Sequence, residues 1–222
     1  FMRNVPMPVK KDMVGALAAD NGIEFKYFTL GMVSIMGIVP TFKYVPQYRT
    51  FLNYVNKDIV KSVVMVGMEQ AKHDELEGAC ITLRAALVME PDNVDALYNY
   101  MLVCRNLYLE SDDKQFVTDF KTEVFESLIR LQELAPDLDK TYYFLGFAYL
   151  NAGKYRDAQI AWDCFLKLSG PCSERMEIRD RLKELEEPVK IEKGYELVIG
   201  GRWNEGLSIL EQYKDTKHME WW

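Results

Sequence analysis

Two histidines, His73 and His218, and four cysteines, Cys80, Cys104, Cys164 and Cys172, are the side chains best suited to metal or nucleophilic chemistry. Their spacing argues against both. No C-x-x-C pair occurs, and a zinc site would have to gather ligands from distant parts of the chain. His73-Asp74-Glu75 sets an imidazole beside two carboxylates, the raw material of acid–base catalysis. The flanking helical patterns, however, place the trio in a solvated turn. His218 sits beside Lys217 near the end of the sequence and is equally uninformative. Cys104 and Cys164 fall at helix-packing places, where a free thiol behaves as a small buried hydrophobe. Neither has a histidine close in sequence, and no G-x-x-x-x-G-K-[ST] or G-x-G-x-x-G loop is present to cradle a phosphate. The expectation is a non-enzyme with no catalytic residue, no metal and no cofactor.

Charge and composition narrow the class further. With 27 Lys and Arg against 34 Asp and Glu in 222 residues, the net charge of −7 would repel a phosphate backbone. Pro8-Val9-Lys10-Lys11 is too short a basic patch to reverse that. Nucleic acid is therefore not an expected partner. An apolar content of 49% supports a folded core. Cysteines this sparse predict a reducing, cytoplasmic setting. Residues 27–42, YFTLGMVSIMGIVPTF, are uncharged for 16 positions, short of the roughly 20 that a spanning helix needs. Asp12, Asp20 and Glu24 precede them where a secretory signal would be basic. They read as a buried helix ending at Gly37 to Pro40, without membrane insertion.

Such helices need a frame, and self-comparison supplies it. In residues 142–171, Tyr142, Leu145 and Tyr149 recur at helical spacing. A turn follows at Asn151-Ala152-Gly153, and a second amphipathic run from Tyr155 presents Ala158, Trp162 and Phe165 before Gly170-Pro171 stops it. Gly146 and Ala158 lack bulk where two helices would cross closely.

This pattern resembles the tetratricopeptide repeat, a helix-turn-helix unit of 34 residues. With Asp139 as first position, Tyr142, Leu145, Gly146, Tyr149, Ala158, Trp162 and Phe165 occupy the family's signature places. Residues 60–93 repeat the register through Val63, Val66, Gly67, Ala79, Leu83, Ala86 and Pro91. Gly67 to Gly146 and Ala79 to Ala158 are both 79 positions, two periods plus 11. The intervening repeat, 94–138, must then carry an 11-residue insertion, expected around residues 107–115 in its first helix or turn, with Met101 at the glycine place. Residues 1–59 form an N-terminal helical segment whose positions 28–56 read as a divergent first hairpin. Residues 173–222 read as a helix capped by Ser173 and ended by Pro188, then a degenerate repeat in which Gly201 and Trp203 mimic Gly153 and Tyr155. The closing Met219-Glu220-Trp221-Trp222 reads as a chain cut within a further repeat. The resemblance implies an all-α, right-handed α-solenoid of antiparallel helix pairs, a superhelix of stacked hairpins.

In this family first helices line a concave groove where protein or peptide partners lie. By register, the groove-facing places hold Val64, Met68, Tyr98, Asn99, Leu102, Arg105, Tyr143 and Phe147. The set is mostly apolar and aromatic, suited to an amphipathic helix or extended segment. Lysine–asparagine clamps that capture a terminal carboxylate have no counterpart where Val64 and Met68 stand, because burying an anion against apolar groups is costly. The groove could instead be filled from within, by a lengthened helix near Leu107 or by residues 1–21. The implied function is a scaffolding or peptide-binding module. Its rival is the sensory half of a regulator that binds a peptide or small effector and controls an attached domain.

Overall fold

The computed structural model describes residues 4–9, 11 and 25–215. His218, residues 219–222 and most of residues 1–21 lie outside them. The described residues form eleven α-helices and no strand. In order these are α1 (Phe25–Ile38), α2 (Val45–Val55), α3 (Ile59–Lys72), α4 (Leu76–Met89), α5 (Val94–Leu109) and α6 (Lys114–Leu134). There follow α7 (Asp139–Asn151), α8 (Tyr155–Leu168), α9 (Glu174–Glu184), α10 (Glu186–Ile199) and α11 (Trp203–Leu210), with a 3₁₀ turn at Glu211–Tyr213. Two compact units divide the chain, Phe1–Ser127 and Leu128–Trp222. Met32, Met36, Tyr48, Leu52, Leu83 and Met101 fill the core of the first, and Leu128, Leu131, Leu145, Trp162, Phe165 and Ile178 that of the second.

Three hairpins, α3/α4, α7/α8 and α10/α11, repeat one design to the residue. Each carries a glycine in its first helix: Gly67, Gly146 and Gly194. Seven positions later stands a residue of positive φ: Asp74 at 63°, Gly153 at 69° and Gly201 at 81°. One position further, a backbone N–H returns to the carbonyl five residues back, a Schellman-type closure. These bonds are Glu75 to Gln70 at 2.9 Å, Lys154 to Tyr149 at 2.9 Å and Arg202 to Leu197 at 2.8 Å. Sixteen positions after the glycine comes a large side chain: Leu83, Trp162 or Leu210. A Cβ built on Gly146 would stand 2.1 Å from the indole nitrogen of Trp162, and one on Gly67 would stand 2.7 Å from Leu83 Cγ. The missing methyl is what lets the second helix lie down on the first. The Trp162 indole also donates to the backbone oxygen of Tyr143 at 3.2 Å, so its one polar atom is satisfied within the contact.

The departures from regular spacing have structural causes. The 11 extra residues enter mostly as a longer second helix. α6 runs 21 residues against 14 in α4 and α8, while α5 reaches only 16. Asp113 starts α6 by accepting from the N–H groups of Gln115 and Phe116 at 2.9 Å each. Gly146 and Gly194 are 48 positions apart, 14 beyond one period, and the inserted helix α9 accounts for the excess. Arg175 fastens α9 to the end of α8, donating to the carbonyls of Leu166 and Ser169 at 2.7 Å each.

Three sequence expectations need correcting. Pro188 does not end the helix before it. That helix ends at Glu184, and Pro188 lies in the first turn of α10, where a missing N–H costs no hydrogen bond. Ser173 makes no cap bond, because its own backbone is already helical and its hydroxyl turns to Glu174. At the front, α1 packs chiefly on α4 and barely on α2, with Gly37 set against the carbonyl of Ile81. The described residues 4–9 are held against α1 and α2. Tyr48 donates to the oxygen of Pro6 at 2.8 Å, and Gly31 faces the backbone of Pro8.

Two substitutions test the hairpin design. Gly146→Ala should lower unfolding free energy by about 1–3 kcal/mol in urea titrations, because the new methyl must displace a fully buried indole. Asp74→Gly should raise it by about 0.5–1 kcal/mol, since the left-handed penalty on a non-glycine outweighs glycine's unfolded-state entropy.

Candidate functional site

The first unit places three of the expected groove residues around one depression between α3 and α5. It has a volume of about 520 Å³. From α3 come Lys61, Val64, Met65 and Met68; from the α5 side come Asn93, Asp95 and Asn99. Local register explains the set: 61, 64, 65 and 68 share one face of a 3.6-residue helix, as 95 and 99 do. Val64 is only 5% exposed and serves as the floor, whereas Met65 at 62% and Met68 at 37% form the accessible apolar rim. Asn93 caps α5 by accepting from the Ala96 N–H at 2.9 Å, and Asn99 donates to the backbone oxygen of Asp95 at 2.8 Å. Both amides are thus fixed in place beside the methionines. Tyr98, Leu102 and Arg105 are half-buried on α5 and do not line this depression.

Tyr143 and Phe147 belong to the second unit and are engaged there. Tyr143 packs edge-on against Phe147 with ring centroids 5.1 Å apart and lies 5.4 Å from Phe165, while Phe147 meets Trp162 at 5.1 Å. The Tyr143 hydroxyl donates to Glu177 of α9 at 3.1 Å. Beside it, Lys140 donates to Glu174 at 2.6 Å. That hydrogen bond is the chief reason the Glu174 carboxyl titrates well below its usual range, at about 2. The inserted helix α9 therefore bonds one of these expected groove residues, Tyr143, through Glu177, which register alone had left open.

Sequence reading missed a polar cluster in the first unit. Arg84 of α4 donates to the Tyr100 hydroxyl at 2.7 Å and to Glu123 at 2.9 Å, and Tyr100 in turn donates to Glu123. Burial, the neighbouring Cys104 and the Glu123 bond all raise the Tyr100 phenol above its ordinary pKa, so it remains a proton donor. Cys80 and Cys104 are buried beside it, and the contact with Cys80 together with burial keeps Cys104 a thiol. Hydrogen-bonded to one another and joining α4, α5 and α6, these side chains have the geometry of a tie. The legible signal was Arg84 itself, a lone charge inside the apolar run ITLRAAL. His73, Asp74 and Glu75 are exposed in the α3–α4 turn, as expected. Among the described residues no cluster of three His, Cys, Asp or Glu could hold a metal ion, and no helix is long and apolar enough to cross a membrane.

No family model matches the sequence, and no curated protein does. Solved structures give distant likenesses. TTC0263, a thermophilic TPR protein from Thermus thermophilus, is 14% identical, with 85% of this chain and 90% of that one covered and a TM-score of 0.47. Two structures of MamA score 0.41 at 14% and 15% identity, covering 78% and 85% of this chain and 87% and 96% of theirs. Three hairpins that match one another residue for residue make the chain a helical-repeat protein.

The attachment of α9 has a pH signature. The Glu174 carboxyl has a lowered pKa in the fold, so its contribution is complete above about pH 4.5 and drains away as pH falls toward 2. Acid titration should therefore lower the protection factors of α9 amides, the intrinsic exchange rate at each pH divided by the observed rate, over that window. Lys140→Met should bring the lowered protection to neutral pH.

Proposed function

We propose that this protein is a non-enzymatic binding or scaffolding module that captures a protein or peptide segment on the α3–α5 depression. The carrying observation is the convergence of exposed Met65 and Met68 with fixed Asn93 and Asn99 over the buried Val64. Methionine adapts its unbranched side chain to varied apolar partners. The two amides offer directional hydrogen bonds at the edge, and Lys61 and Asp95 place opposite charges on opposite helices. A segment with an apolar anchor and a polar flank matches that order of contacts. Tyr143 and Phe147 have their faces taken up by neighbouring rings and Glu177, so in this reading they support their hairpin more than they recognise a partner.

Peptides selected by display against the whole chain provide the test. Met68→Asp, which sets a charge at the anchor, should weaken the selected peptides at least tenfold in calorimetric titration. Met176→Asp, at an exposed site on α9, should leave them unchanged. Equal affinity for Met68→Asp and the wild type would reject the α3–α5 assignment.

A further inference from the structure

The two buried cysteines of the first unit play no part in the preceding reading, and their placement is paired. Cys80 and Arg84 stand one helical turn apart on α4, as Tyr100 and Cys104 do on α5, so each couple shares a helix face. Arg84 bonds Tyr100 across the seam at 2.7 Å. One turn further along, antiparallel packing sets Cys80 opposite Cys104, and the two free thiols interact there. They are 24 positions apart in sequence, so the fold and not the local chain brings them together. Facing side chains on adjacent helices are the arrangement that a disulfide requires.

Position separates the roles of the two sulfurs. Cys104 is wholly buried, whereas Cys80 keeps 5% of its surface open. An opening that small suits a molecule the size of hydrogen peroxide and shuts out glutathione or a protein thiol. The contact with Cys104 does most to lower the Cys80 pKa, and Arg84 lowers it further, against the opposing effects of burial and of Glu123. Contact with Cys80 and burial hold Cys104 as the thiol. The thiolate is the form that attacks a peroxide, so Cys80 is the sulfur that reacts first.

We infer that Cys80 and Cys104 form a peroxide-responsive pair, which a small hydroperoxide converts into a disulfide that staples α4 to α5. In the first step the Cys80 sulfur bonds to one peroxide oxygen as the O–O bond breaks. The departing oxygen takes the thiol's proton and leaves as water, with Cys80 now a sulfenic acid. In the second step the Cys104 sulfur attacks the Cys80 sulfur and the S–O bond breaks. The hydroxyl leaves with the Cys104 proton as a second water. Two thiols have then lost two electrons between them, and one peroxide has been reduced to two waters. Because α4 is the helix on which α3 lies, the staple would hold α5 to the whole α3/α4 hairpin.

The test treats the full, folded chain with a small molar excess of hydrogen peroxide and removes the excess with catalase. Remaining thiols are blocked with a maleimide in urea, and a tryptic digest is mapped by mass spectrometry. Trypsin cuts after Lys72, Arg84 and Arg105, so the bond would appear as residues 73–84 joined to residues 85–105. The expected result is that linked pair in most molecules, with helical circular dichroism unchanged and both thiols restored by dithiothreitol. Cys104→Ala should stop the reaction at a sulfenic acid on Cys80, captured by dimedone, whereas Cys80→Ala should leave Cys104 unlabelled. The double variant Cys164→Ala with Cys172→Ala should cross-link as the wild type does. Circular dichroism establishes that each variant is folded, and the wild-type map needs no variant. A linked pair that forms only in unfolding urea, loss of helix on oxidation, dimedone on Cys104 in Cys80→Ala, or oxidation confined to Cys164 and Cys172 would overturn the inference.

Discussion

A large side chain lying on a bare glycine is the contact on which the rest of this structure depends. At Gly146 the indole of Trp162 occupies the volume where any other residue would carry its Cβ, and the same relation joins Gly67 to Leu83 and Gly194 to Leu210. Helix pairs packed this closely exclude water from their seam and set the two axes in one geometry. The left-handed residue seven positions on then fixes where the chain reverses. Two backbone constraints, one steric and one conformational, thus convert a helical pattern into a specific hairpin. Everything the faces of α3 present outward follows from its being held this way against α4.

Where the glycine is absent, polar chemistry takes over. The pair α5/α6 carries Met101 at the glycine place and is tied instead through Arg84, Tyr100 and Glu123, three groups on three helices that satisfy one another. Removing Arg84 or Glu123 would leave the buried Tyr100 hydroxyl short of a partner, while the two charged groups keep some access to water. Elsewhere, side chains from neighbouring helices close the helix ends. Arg49 donates to the terminal carbonyl of α4 at Met89, and Glu192 of α10 accepts from the Arg156 N–H in the first turn of α8. Both obey the polarity of the helix, cation at the carbonyl end and anion at the amide end.

The two faces of α3 differ in chemistry for the same structural reason. A helix clamped along one stripe by α4 has two flanks left, and the 3.6-residue period deals residues alternately to them. One flank receives Lys61, Val64, Met65 and Met68 over α5; the other receives Val63, Val66 and Gln70 toward α1. Flexible thioethers with flanking amides suit a partner that varies in shape.

Much of the architecture was legible in the sequence. Gly67, Gly146 and Gly153, with the apolar positions around them, carry the hairpin because steric exclusion and positive φ select residue type directly. The turn at His73-Asp74-Glu75 could be placed for the same reason. Depth was less accessible. Val64 and Met68 are four apart on one face, yet one is the floor and the other the rim, because exposure depends on what α5 lays beside them. Pro188 looked like a stop and proved a start, since proline marks a helix boundary without telling which helix it belongs to. Periodicity, glycine placement and charge balance come from local rules, so the amino-acid order alone determined an all-α chain of paired helices. Tertiary structure alone decided that α9 would bond Tyr143, that the Gln70 side-chain oxygen would be buried with no partner among the described residues, and that α1 would turn from α2 to α4. Each of these depends on contacts between residues far apart in sequence, whose energies no local pattern encodes.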